Sequence, residues 1–228
     1  MKKNGFTLAE VLITLVIIGV IAAMTIPTMI NKTQEQENVV ALKKAYSIMA
    51  QAFKLTEVKY GPIDTWEWSS DNIIPIFEKV SENLQIMYKG DNTTNTNCFP
   101  DSFKYLGAST SNTMLYSKAS ARLSDGMSLR LEARGTNCNQ TRGSITNICG
   151  IAIVDTNGNA APNLYGKDLF QFYVTKNGLL PLGTEGDLYN VNTYCNINSH
   201  DMQYNGVGCA AWVIAKGNMD YLRKPVSW

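Results

Sequence analysis

The apolar positions of this chain fall into three regimes. From Phe6 to Ile26 they run almost without a break, interrupted by a single charge, Glu10. At 1.5 Å per residue a helix over this run is about 31 Å long, close to the thickness of a bilayer core, so the run predicts a membrane-spanning helix. From Val39 onward the run becomes a stripe. Val39, Leu42, Tyr46, Met49 and Phe53 recur at spacings of three and four, while Lys43, Lys44, Gln51 and Lys54 take the opposite face. This pattern marks an amphipathic helix resting on a globular core, and Gly61-Pro62 ends it. The stripe reads as packing surface, not as a ligand site.

Past Gly61 the chain turns polar, rich in Asn and punctuated by Gly. A short helix is predicted around Phe77–Leu84 within 73–87, and Asp91 to Pro100 reads as a loop. Strand signals follow. Met127 to Ala133 alternates after the turn pair Asp125-Gly126, and Ile148 to Val154 is an apolar run. Leu169 to Thr175 faces Leu179 and Leu180 across Lys176-Asn177-Gly178, a hairpin turn, and Ala210 to Ala215 reads as a closing or edge strand. One long helix followed by three to five antiparallel strands predicts an α+β fold, with the amphipathic face covering one side of a small sheet.

A chain of 228 residues with 45% apolar content suits one globular domain plus an extension. With Lys2 and Lys3 set aside from the 20 basic residues and Glu10 from the 19 acidic ones, 18 of each remain beyond the apolar run. That balance does not indicate binding to nucleic acid or to anionic lipid. The five cysteines lie in the second half, without the close pairs that zinc or dithiol redox chemistry uses. If that half is exported, disulfides are the default. Cys138 with Cys149 and Cys195 with Cys209 would close short loops and leave Cys98 over, although the odd thiol can equally displace either pair.

An enzyme finds no support. His200 is the lone histidine, beside Ser199 and Asp201 in a polar loop, and adjacent residues do not make a triad. Phosphate-loop, nucleophile-elbow and HExxH motifs are all missing from the sequence. Trp66 and Trp68 read as core or rim, with an exposed adhesive role as the alternative.

The N-terminal run admits three explanations. A secretory signal has a shorter apolar core and a small-x-small cleavage site, which Ala22-Ala23-Met24-Thr25 does not supply. A plain signal anchor fits the length, and Lys2 and Lys3 place its N-terminus in the cytoplasm. Neither accounts for Glu10, since a carboxylate in a span costs on the order of 1 to 3 kcal/mol without a partner. The third explanation comes from the wider pattern. Gly5-Phe6-Thr7-Leu8-Ala9-Glu10, behind a short basic leader and ahead of Val11 to Ala23, resembles the leader and first helix of type IV pilins and type II secretion pseudopilins.

The resemblance covers about the first 30 residues and implies a division of the chain. Residues 1–5 would be a cleaved leader, 6–27 a transmembrane and filament-core helix, 28–60 its amphipathic second half, and 61–228 an α+β head, a pilin-like architecture. It implies cleavage between Gly5 and Phe6 by a prepilin peptidase, with methylation of the new amine on Phe6. Glycine before the cut lets an extended backbone enter a cramped site. In such proteins the carboxylate at the position of Glu10 neutralises the Phe6 amine of the neighbouring subunit during docking, so a misplaced subunit leaves both charges unpaired. Pro27 occupies the place of a kink-forming proline, with a membrane-exit turn as the alternative, and Gly19 a mid-helix site where loosening is tolerated.

The expected partners are therefore other copies of the chain or related pilins, the peptidase and an inner-membrane assembly platform. The expected location is a single-pass inner membrane protein that passes into an extracytoplasmic filament or onto the cell surface. The expected function is a non-enzymatic pilin or pseudopilin. The alternative is a minor or competence-type subunit whose head binds DNA or a surface; Glu10 disfavours a filament-initiating role. No cofactor is required. Calcium is the one candidate, because major pseudopilins carry such a site in a C-terminal loop and Asp155, Asn157, Asn159 and Asp168 place oxygens after a strand. The same residues also suit an ordinary turn, and the glycine and closing Glu of an EF-hand are not in register.

Overall fold

The computed structural model describes residues 5, 7–69, 73–90, 98–113, 119–199 and 203–228. They form an α+β protein in two compact units, Met1–Glu37 and Asn38–Trp228. The expectations for Phe6, His200 and residues 91–97 lie outside the described residues.

Helix α1 runs from Leu8 to Tyr60. Its segment in the first unit is apolar and uncovered, with Leu8 78% and Met24 71% exposed. It is long and apolar enough to cross a membrane. The helix passes through Pro27 without a break, so the exit-turn alternative is not what forms. Pro27 has no N–H to give to the preceding turn, and the helix continues with that one bond missing.

In the second unit the stripe of α1 is buried. Leu42, Met49 and Phe53 are fully covered, and Ala45 and Ala52 between them let the helix lie close to its neighbours. Lys43, Lys44, Gln51 and Lys54 face outward. Gly61 ends α1 with φ +86°, donating its N–H to the Glu57 carbonyl at 2.9 Å, a conformation that glycine adopts without steric cost. Trp66 and Trp68 then fold under the helix end. Both are buried, and their indole N–H groups donate to the carbonyls of Gly61 and Ile63. They belong to the core, and the adhesive reading falls. Helix α2 (Ile73–Ser81) starts four residues earlier than expected, because Ile76, Phe77 and Val80 make its buried face.

The strands are β1 (Ile86–Lys89), β2 (Ser102–Phe103), β3 (Asn112–Thr113), β4 (Ser120–Leu123), β5 (Ser128–Ala133), β6 (Gln140–Arg142), β7 (Ile145–Asp155), β8 (Leu169–Thr175) and β9 (Gly178–Pro181). Among the described residues, seven of them form an antiparallel sheet in the order β1-β4-β5-β7-β8-β9, with β6 also paired to β7. Strands β2 and β3 make a separate ribbon. The sheet has two different faces because successive side chains alternate. Leu129, Leu131, Ala152, Val154, Phe170, Phe172 and Val174 join the core that holds α1. Ile151, Ile153 and Tyr173 point the other way, into a second cluster with Phe99, Tyr165 and Val207.

Two short helices complete the head, α3 (Val191–Tyr194) and α4 (Cys209–Lys216). The second corrects the strand expected at Ala210–Ala215. An apolar run this short has no decisive period, and the signals that settle it flank it. Gly217 supplies a left-handed C-cap at φ +69°, its N–H bonded to the Val213 carbonyl. In the first turn the Ala211 N–H donates to the Leu182 carbonyl at 2.9 Å.

Candidate functional site

The first site is the start of α1. Thr7 and Glu10 form a reciprocal cap: the Thr7 N–H and hydroxyl both donate to the Glu10 carboxylate at 2.8 Å, and the Glu10 N–H donates to the Thr7 hydroxyl at 3.3 Å. This satisfies backbone donors that the first turn of a helix cannot pair internally. The motif Thr-x-x-Glu was present in the sequence and identifies Thr7, which the reading of the leader passed over. Within one chain, Glu10 thus has a partner. Gly5 is exposed ahead of this cap.

The second site is the loop between β7 and β8. Asp155 and Asp168 are both fully buried. The loop folds back on Asp168, whose carboxylate accepts the N–H groups of Asn163, at 2.9 Å, and Leu164. Asn157 touches both acids, its N–H on Asp155 at 3.2 Å and its side-chain amide on Asp168 at 3.3 Å. Burial, and then the charge of Asp168, push the Asp155 carboxyl up to about 8. Burial also raises Asp168. Arg122 offers partial compensation, since its guanidinium lies against Gly158, where an added Cβ would come within 2.6 Å of it.

Three oxygens of this loop remain buried without a hydrogen bond: Asp155 Oδ2, Asn157 Oδ1 and Asn163 Oδ1. A buried acceptor left unsatisfied costs about 1–3 kcal/mol, so these oxygens call for a partner such as an ordered water or a cation. Carboxylate and amide oxygens are the donors a hard divalent cation takes. The residues present therefore fit calcium. Asn159 lies in the same loop, and Asn163 is a candidate that the sequence reading missed although it follows directly in the Asn-rich run. Among the described residues no cluster of three or more His, Cys, Asp or Glu occurs, so amide oxygens would have to complete the set.

The cysteines make two bridges, Cys138–Cys149 and Cys195–Cys209. The first ties the turn before β6 to β7, and the second ties α3 to the start of α4. Cys98 lies outside both, buried, with its thiol 3.9 Å from the Tyr88 carbonyl oxygen.

The capped apolar helix behind a Gly-aromatic junction, joined to a helix-backed sheet, defines a type IV pilin-like prepilin. Residues 1–26 match the prokaryotic N-terminal methylation motif, which marks this class of structural subunit. Residues 28–206, most of the chain, match a family of unknown function, DUF6613, and the chain belongs to that family. No curated protein and no solved structure matches it.

Proposed function

We propose that the chain is cut between Gly5 and Phe6, methylated on the Phe6 amine, and then assembled into a type IV pilus or a type II secretion pseudopilus through its α1 apolar segment. The observation that supports this reading is the pairing of the methylation motif over residues 1–26 with a helix whose apolar surface is uncovered. Such a surface needs lipid before assembly and neighbouring helices after it. Lys2 and Lys3 orient the leader toward the cytoplasm and the head away from it. Glu10 then exchanges its Thr7 contact for the Phe6 amine of the next subunit. The balanced charge of the head argues against a DNA-capture role.

The test is intact mass and N-terminal sequencing of protein recovered from cells that carry a prepilin peptidase, beside Glu10→Ala. A chain starting at methylated Phe6, with the variant processed but missing from sheared filaments, is the expected result. A chain still starting at Met1 overturns the reading.

The head, on this proposal, holds one calcium ion through Asp155, Asn157, Asn163 and Asp168, with Asn159 beside them. The three buried, unpartnered oxygens support it. When bound, the ion supplies charge compensation and pins the β7–β8 loop. Calcium titration of the full chain in detergent, followed by calorimetry, is expected to show saturable binding and a raised unfolding temperature. Absence of both would leave the loop an ordinary turn.

A further inference from the structure

The sheet face turned away from α1 carries a cavity of about 350 Å³. We propose that it binds an acidic saccharide, a sugar ring bearing a carboxylate. This goes beyond the assembly reading, since it concerns only the head.

The lining follows from the strand alternation. Leu129 and Leu131 of β5 enter the α1 core, so Arg130 and Glu132 face the cavity. In register beside them are Ile153 and Ile151 of β7, then Gln171 and Tyr173 of β8. Arg130, only 6% exposed, pairs with Glu132 at 2.8 Å, and Arg134 binds the same carboxylate. Arg142 enters from β6; its guanidinium reaches only the Thr141 carbonyl, at 3.4 Å, and has no ion pair among the described residues. The lining thus sets three guanidinium groups against one carboxylate, which leaves the cavity positive and suited to an anion.

Part of the lining is aromatic. Tyr105 stacks on Tyr165 with ring centres 5.6 Å apart, and Tyr204 meets the edge of Tyr105 at 5.5 Å. Tyr189 follows at 5.9 Å from Tyr204. A small inorganic anion would leave these ring faces unused. A flat aromatic acid would leave idle the polar groups of the sheet that line the cavity, Gln171 and Glu132. A ligand with one anionic group, a low-polarity ring face and several hydroxyls uses all three features. The volume lies at the lower end of small-molecule sites, which span roughly 300–1,000 Å³, and holds one or two sugar rings.

The experiment uses the full chain in detergent micelles and isothermal titration with three probes: digalacturonate, the neutral disaccharide cellobiose and inorganic phosphate. Digalacturonate is expected to bind, cellobiose to bind at least tenfold more weakly, and phosphate not to compete. Arg142→Gln is expected to weaken digalacturonate at least tenfold with an unchanged unfolding temperature. Arg134→Gln, at a half-exposed side chain, serves if the first variant fails to fold. No binding, equal binding of cellobiose, full competition by phosphate, or wild-type affinity in a folded variant would each overturn the proposal.

Discussion

Asp155 closes β7, Asp168 sits one residue before β8, and Asn157 donates to both buried carboxylates. The two acids are nonetheless used differently. Asp168 organises backbone, accepting two loop N–H groups, whereas Asp155 keeps one oxygen without a hydrogen bond. Asp168 therefore holds the loop together as well as lining the proposed calcium site, whereas Asp155 keeps an oxygen for the ligand alone.

Their substitutions should separate accordingly. Asp168→Ala strands two half-buried loop N–H groups and should cost about 2–5 kcal/mol with or without calcium. Asp155→Asn replaces a carboxyl that burial keeps largely protonated at neutral pH with a neutral amide of similar shape, and should leave the calcium-free protein within about 1 kcal/mol of wild type while abolishing the calcium-dependent rise. Calorimetry of both variants, with calcium and with chelator, distinguishes the roles. Equal loss in both would mean that Asp155 is structural too.

Thr7 and Glu10 make a second separable pair. Thr7→Ala removes the cap hydroxyl, worth about 1 kcal/mol to the first turn, but leaves the Glu10 charge for a neighbouring subunit. The variant should be processed and should still enter filaments. Glu10→Gln keeps a capping side chain and loses the charge, so it should be processed and fail to assemble. The ratio of sheared to membrane-bound subunit measures this. Equal assembly of the two variants would make capping the whole role of Glu10.

The tyrosine wall predicts a response to alkali. Burial raises the Tyr105 phenol to about 12, and raises Tyr165 and Tyr173 as well. A tyrosine in the unfolded chain ionises near about 10. Between these values the unfolded chain has lost a proton that the folded chain retains, so stability falls as pH rises through that window. Unfolding temperature, followed with phenolate absorbance, should fall as pH rises beyond about 9, a loss separate from the one that the raised Asp155 carboxyl imposes up to about 8. Ionisation of these phenols ahead of unfolding would contradict it.

Gly150 lies where β7 passes under Trp68. A Cβ there would meet the Glu132 carbonyl oxygen, and would lie 2.7 Å from the Trp68 ring. Gly150→Ala should cost about 1–3 kcal/mol by overpacking, read as a lower denaturation midpoint. The exposed Gly19, with nothing within 4 Å, should tolerate the same change in the isolated subunit.

The elements with a long period were readable from sequence, and so were those whose turns carry their own chemistry. The α1 stripe from Val39 to Phe53 and the β8 bounds, Leu169 to Thr175, are found where the pattern puts them. Strands β1 and β4 escaped because four residues do not establish an alternation, and β1 finds its partner, β4, far along the chain. Helix α4 escaped because its identity rests on a glycine cap and on the Leu182 carbonyl from another segment. The same limit applies to the sites. Asp155 and Asp168 were visible as residue types, but that Asp155 Oδ2 is buried without a donor is a property of the folded loop. The cavity was beyond reach, since its arginines and tyrosines come from segments between Tyr105 and Tyr204 that only the sheet brings together.

The two bridges carry a consequence for what a cut in the backbone does. The bridged cysteines lie 11 and 14 positions apart along the chain. A protease that nicks the backbone inside either ring produces two polypeptides that do not part. The severed ends stay covalently tethered, and the damage shows on a gel only after reduction.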